Sequence, residues 1–219
     1  MTDYALARRN MIDGQLRPNR VNNAGLLQAI GELPRERFLP AGLSSVAYAD
    51  EDVPLGGGRF LMEPMVLARL IQILQPKYGD KALVVASGRG YGAALLAQLV
   101  TAVVALESDP ALGQAAEAAW KDVGTTNVAL WTGKLEDGVA SAAPYAVILI
   151  EGAVRQIPKV LLDQLAEGGR LATVVAGPEG AMGVAELVVK EGGVTSRRPI
   201  FDAGTPTLPG FAPPPRFTF

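Results

Sequence analysis

Three glycines, Gly88, Gly90 and Gly92, recur at every second position behind Ser87 and the apolar run 82–86. A turn of this kind between a strand and a helix lays bare backbone amides at a strand end, and its usual occupant is a nucleotide-like cofactor. A close strand-to-helix connection that needs positive φ explains the same glycines without any ligand. Glu107 adds weight to the ligand reading. It follows the next apolar run, Val103 to Leu106, where a carboxylate can accept both hydroxyl hydrogens of a ribose. The plainer reading of Glu107 is a solvated acid at a strand end.

The rest of the chemistry is narrow. The chain has neither His nor Cys. Thiol nucleophiles, disulfides, Cys/His zinc sites, Ser-His-Asp triads and imidazole acid–base catalysis are excluded, which leaves such work to Asp, Glu, Lys or Tyr. Asp50-Glu51-Asp52 and Glu136-Asp137 are hard-oxygen candidates, but charge runs in loops are usually solvated faces, and no metal is expected. Arg8-Arg9 and Arg197-Arg198 read as surface pairs, and Trp120 and Trp131 read as core.

The elements that must position the turn follow from spacing. Residues 3–16 have helical periodicity with Leu6, Met11 and Leu16 inward, and Arg17-Pro18 ends the run. Asn22-Asn23 caps a second helix carrying Leu26, Leu27 and Ile30 on one stripe. Residues 41–61 read as an irregular segment closing on Gly56-Gly57-Gly58. Pro64 then starts a strongly apolar helix to Leu74. From Lys81 strands and helices alternate: strand 82–86, helix 91–100, strand 102–106, helix 109–122, strand 127–131, strand 145–150, helix 158–166 and strand 170–175. Continuous runs such as Val147 to Ile150 suit strands buried on both faces of a parallel sheet. Val184–Val189 and Val194–Phe201, joined by Glu191-Gly192-Gly193, predict an antiparallel hairpin. The expected fold is therefore α/β, a three-layer sandwich with a mostly parallel sheet, a C-terminal antiparallel hairpin and an N-terminal helical cap. It is expected as a single domain, with cap and loop over 1–60, core over 61–202 and an extended tail over 203–219.

Composition sets the remaining bounds. Half the residues are apolar, 49%, and the formal net charge is −2. That describes a globular chain with no electrostatic case for nucleic acid or an anionic membrane. The N-terminal residues carry no basic stretch followed by an apolar run, and no segment is long and charge-free enough to span a bilayer, so a cytoplasmic location is expected.

Several stretches together resemble a known family. Leu33-Pro34-Arg35-Glu36-Arg37-Phe38-Leu39-Pro40, Ala47-Tyr48-Ala49-Asp50 and Pro54-Leu55-Gly56-Gly57-Gly58 are similar to the N-terminal half of protein-L-isoaspartate O-methyltransferases. The turn at 86–92, Ala143-Pro144-Tyr145, Ile157-Pro158, Gln164-Leu165 and Gly168-Gly169-Arg170-Leu171 continue the match in register, over roughly residues 5–175. The resemblance implies a class I, Rossmann-like methyltransferase fold and S-adenosylmethionine as cofactor. It also implies methyl transfer to isoaspartyl carboxylates of peptides or proteins. Ser87, Gly88, Gly90, Glu107 and Lys134 fall on its cofactor-binding positions, and Phe60 and Met62 on the threonine and serine of its catalytic loop.

The resemblance is broken at several points. The family's E-x-G-x-G-x-G places an acid on Val84 and a glycine on Ala86. Its G-D-G becomes Gly133-Lys134-Leu135, and lysine cannot accept a hydrogen bond from an adenine amino group. The acid after Ala-Pro-Tyr becomes Ala146, and the threonine after the fourth strand becomes Glu151. The loop G-Q-T-I-S-Q-P becomes Gly58-Arg59-Phe60-Leu61-Met62-Glu63-Pro64, without either hydroxyl. Each missing hydrogen bond to a buried ligand group costs roughly 1–3 kcal/mol, so two such absences weaken binding by about 30-fold to 10⁴-fold. Three readings follow: a repair-type methyltransferase with activity weakened or lost, a non-catalytic binding or regulatory protein on the same fold, or a site turned to an anionic ligand by Arg59, Arg89 and Lys134.

Overall fold

The computed structural model describes residues 3–178 and 181–211. The chain opens with α1 (Tyr4–Met11), a π-helical turn over Ile12–Leu16 and α2 (Ala24–Glu32). Asn23 caps α2 by accepting from Leu26 N, and Leu26, Leu27 and Ile30 are buried, as their spacing predicts. Short 3-10 turns over Arg35–Phe38 and Ala41–Val46 lead to an antiparallel hairpin, β1 (Val53–Gly56) and β2 (Arg59–Leu61), and then to α3 (Pro64–Leu74). The alternation follows: β3 (Lys81–Val85), α4 (Tyr91–Ala97), β4 (Ala102–Glu107), α5 (Pro110–Val123), β5 (Val128–Thr132), β6 (Tyr145–Val154), α6 (Lys159–Asp163) and β7 (Leu165–Val175). It ends in β8 (Gly183–Glu191) and β9 (Val194–Ala203).

The main sheet runs β5-β4-β3-β6-β7-β8-β9. The first five strands are parallel, and β8 is antiparallel to both its neighbours. One apolar face, with Val84, Ala105, Leu149 and Val174, is covered by the N-terminal helices and α3–α5. The opposite face, with Leu83, Val85, Leu106 and Ile150, is covered by α6, the turns before β6, and Leu208 and Phe211 of the tail. Burial on both faces is why these strands read as unbroken apolar runs. The winding reverses between β3 and β6, and ligands of doubly wound sheets bind in the crevice at such a switch point, outside the strand ends. The Ser87–Gly92 turn leaves β3 there.

Several expectations need correction. Leu6 is 46% exposed. The inward stripe of α1 is Tyr4, Arg8 and Met11, at helical i, i+4, i+7 spacing, and Leu6 falls on the other side. Arg8 is consequently no surface residue. Its guanidinium donates to Tyr48 Oη, Gly31 O and Glu36. Trp131 is 45% exposed because β5 is the sheet edge, whereas Trp120 is buried as expected. The segment 41–61 is ordered by the 3-10 turn and the hairpin. The helix expected over 158–166 stops at Asp163, since Leu165 already pairs in β7, and the strand expected to end at Ile150 runs on to Val154. The tail from 203 lies along the body as far as Phe211. Ala153 N donates to Pro206 O, Leu208 N donates to Ala153 O, and residues 212–219 fall outside the described ones.

Candidate functional site

The turn is built from left-handed backbone. Ala86, Gly88 and Gly90 have φ of 61°, 55° and 88°. Only Ala86 carries a Cβ, in a conformation that costs an L-residue about 1–2 kcal/mol. Ser87 N donates to Leu106 O, and Gly90 N closes the turn on Ser87 O at 2.8 Å. Gly90 has a second reason to be glycine. Trp120 Nε1 donates to its carbonyl at 2.9 Å, and any Cβ there would stand 2.5 Å from that nitrogen.

Glu107 ends β4 beside this turn and is fully buried, at 0% exposure. Gly88 N donates to its Oε2 at 2.9 Å. Ser108 N and Asp109 N donate to Oε1 at 2.7 and 3.0 Å. Two side chains also donate to Oε1, Arg59 Nε at 3.2 Å and Ser108 Oγ at 3.4 Å. Arg59 Nη2 continues to Ser108 Oγ at 2.6 Å, and its Nη1 is buried with no partner. Arg59 comes from β2, where it shares a face with buried Leu61. Next to it, Leu55 of β1 lies against the turn, with Cδ1 3.0 Å from where a Cβ on Gly88 would stand. Pro209 of the tail presses on Gly58, and Leu208 on Gly152.

A second buried acid lies behind the turn. Glu151, in β6, packs its carboxylate against Gly92 and leaves Oε1 without a hydrogen bond. Burial pushes its carboxyl up to about 8, Arg35 pulls against that shift, and Glu107 adds to it. Arg35 is itself fully buried, donating to Ala47 O at 2.6 Å and Met62 O at 2.5 Å and lying 5.0 Å over the Tyr91 ring. Burial holds its guanidinium below the usual arginine value. Met62 is buried in the core with its carbonyl on Arg35, and Phe60 is half-buried on β2, so neither supplies a polar group. Glu63 is pushed up to about 7 by burial, with Asp50 and Asp52 adding to it.

The predicted cofactor residues Ser87, Gly88, Gly90 and Glu107 are brought together. Lys134 is exposed on an adjoining open cleft of about 510 Å³ that Arg59, Ser108, Asp109, Glu136 and Pro209 also line, and Gly133 N beside it donates to Glu107 O at 3.1 Å. Arg89 does not join Arg59 and Lys134: its Nε donates to Phe38 O, on a different hollow with Glu36 and Asp122. Among the described residues, no three or more of Asp and Glu converge as metal ligands.

These residues do not accommodate the ribose of S-adenosylmethionine as they stand. The carboxylate that would accept its hydroxyls already takes five donors, four of them on Oε1, and Leu55 covers the turn. Sequence reading missed the pairing of Arg59 with Glu107, the burial of Arg35 and the burial of Glu151. Two signals were available: the two-residue spacing of Arg59 and Leu61, and the i, i+3 spacing of Arg35 with Phe38 on a 3-10 turn, which buries both.

A doubly wound sheet with a glycine turn and a strand-end acid at the switch point defines a class I methyltransferase-type α/β protein. The model of the protein-L-isoaspartate(D-aspartate) O-methyltransferase family matches residues 7–198. Protein-L-isoaspartate O-methyltransferases of Koribacter versatilis and Methylorubrum populi are 38% and 39% identical to the chain. The matches cover 82% of the chain in both cases, and 81% and 84% of those proteins. A solved protein-L-isoaspartate O-methyltransferase superimposes with a TM-score of 0.79 at 23% identity, over 93% of this chain and 67% of that one. A putative one from Plasmodium falciparum, in complex with S-adenosyl-L-homocysteine, gives 0.78 at 19% identity, over 96% and 100%. The chain belongs to the protein-L-isoaspartate(D-aspartate) O-methyltransferase family. Among the described residues no helix is long and apolar enough to cross a membrane.

Proposed function

We propose that the chain carries the family's function in attenuated form: methyl transfer from S-adenosylmethionine to isoaspartyl carboxylates of peptides or proteins, with low affinity for the methyl donor. The observation that carries this reading is the Ser87–Gly92 turn held beside Glu107 at the switch point of the sheet. The substrate carboxylate is ionised at neutral pH, so the acceptor needs alignment more than a base, and the absence of His and Cys is compatible with the reaction. Attenuation is supported by Ala86, Lys134, Phe60 and Met62 in place of the family's glycine, acid, threonine and serine, and by the ion pair that fills Glu107.

The test is transfer of labelled methyl to an isoaspartyl peptide at millimolar S-adenosylmethionine. Slow turnover above a no-enzyme control is expected; none at any cofactor concentration sinks the reading. A second reading, a non-catalytic member of the family, is favoured by the internal satisfaction of Glu107. It predicts no heat of S-adenosylmethionine binding in a calorimetric titration, and a micromolar affinity removes its support.

A further inference from the structure

Arg59 stands where the fold would present Glu107 to a ligand, and the element that carries it is suited to leave. β1 and β2 form a two-stranded sheet of their own, outside the main sheet. A lone two-stranded hairpin is marginally stable, so its position depends on what it rests against. Its tip is Gly56-Gly57-Gly58, exposed and all at positive φ. It rests on Leu55 over Gly88, Pro209 over Gly58, and Arg59 on Glu107 and Ser108.

The way out is also present. Arg59 lines the open cleft of about 510 Å³, whose walls carry two further carboxylates, Asp109 and Glu136. Asp109 already faces the hairpin, its Oδ2 3.5 Å from where a Cβ on Gly57 would stand, and Glu136 lies against Gly210 of the tail, 3.4 Å by the same measure. A guanidinium leaving Glu107 therefore passes to acids at the cleft, without being stranded in an apolar interior. In the inward position its Nη1 is buried without a partner.

We infer that Arg59 is a built-in competitor for the ribose diol of the nucleoside ligand: inward it fills Glu107 and closes the turn, and swung into the cleft with its hairpin it opens the site. This rests on the proposed function only in taking Glu107 as the ribose acceptor. In the closed form the ligand must displace a charge-assisted contact that water-exposed acids would not hold, and the affinity falls by the fraction of molecules that are open.

The experiment compares S-adenosylhomocysteine binding by calorimetry to the wild-type protein, Arg59→Gln and Leu55→Ala, each checked for folding by circular dichroism. Glutamine restores the family's residue and removes the charge. Leu55→Ala uncovers the turn and leaves the ion pair intact. Binding at least 10-fold tighter in Arg59→Gln, a smaller gain in Leu55→Ala, and loss of the gain in Arg59→Gln/Glu107→Gln support the inference. Should Arg59→Gln not fold, Arg59→Met, which also removes the guanidinium and keeps an apolar stem, decides by the same 10-fold gain. Equal affinity of the wild type and the folded variants overturns the competitor and leaves the methyltransferase reading standing. No binding to any of them overturns both.

Discussion

Glu151→Gln should make the protein more stable at alkaline pH than the wild type, an unusual outcome for a change at a buried polar residue. The Glu151 carboxyl is pushed up to about 8 from an ordinary 4.5, chiefly by burial. A folded form with the higher value binds the proton more tightly than the unfolded chain. Between the two values the native state therefore holds more protons, and stability falls as pH rises. The contribution is whole below 4.5, declines through the interval and is gone above about 8. From about pH 5.5 to about pH 8 it amounts to roughly 3 kcal/mol, at 1.36 kcal/mol per unit. Glutamine keeps the shape and cannot ionise.

The assay is urea unfolding of both proteins at about pH 5.5, 7 and 8.5. The wild type should lose roughly 3 kcal/mol more than the variant across the range. Glu63, pushed up to about 7, and Asp52, also raised by burial, tilt the wild-type curve in the same direction, but they are present in both proteins and cancel in the difference. Parallel curves, or a variant weaker than the wild type at about pH 8.5, would refute the reasoning. That outcome would mean that Arg35 holds Glu151 ionised after all.

Glu107→Ala leaves Arg59 buried without its carboxylate and three backbone N–H groups unpaired, at a cost of about 3–5 kcal/mol by chemical denaturation; a loss below about 1 kcal/mol would contradict the burial of the pair. Ala86→Gly relieves about 1–2 kcal/mol of left-handed strain against about 0.5–1 kcal/mol of added chain entropy. A net gain on the order of 0.5 kcal/mol in denaturant midpoint is expected, and a clear loss would show that Ala86 is unstrained. Trp120→Phe removes the donor to Gly90 O from a buried site and should cost about 1–3 kcal/mol, measured as a lower midpoint with an unchanged denaturant slope.

Much of the architecture was legible because its signals are periodic. The parallel strands announce themselves as runs such as Val103 to Leu106, since both faces are covered, and the turn announces itself through glycines that the left-handed backbone requires. The charges of the site were not legible in the same way. Arg59 sits in a three-residue strand, too short for alternation to stand out against the glycines before it. Glu151 continues the apolar strand Val147–Ile150, and a charge read as the end of a strand is in fact within it. Arg35 lies in a run of charges, where its two neighbours Glu36 and Arg37 are half-wet and wet and only its spacing from Phe38 distinguishes it.

The departures from the family pattern are linked physically rather than independent. A buried strand-end carboxylate must be hydrated or paired, because a buried charge without partners costs several kcal/mol. Here Arg59 supplies the charge and the hydrogen bonds, while Leu55 supplies apolar volume over the turn. A polar residue at 62 would face core, and Met62 is a type that such a position accepts. Restoring the serine at 62 alone would bury a hydroxyl while Glu107 stays paired with Arg59. The order of dependence therefore runs from Arg59 outward, and reversal of the site has to begin with the residue that holds it shut.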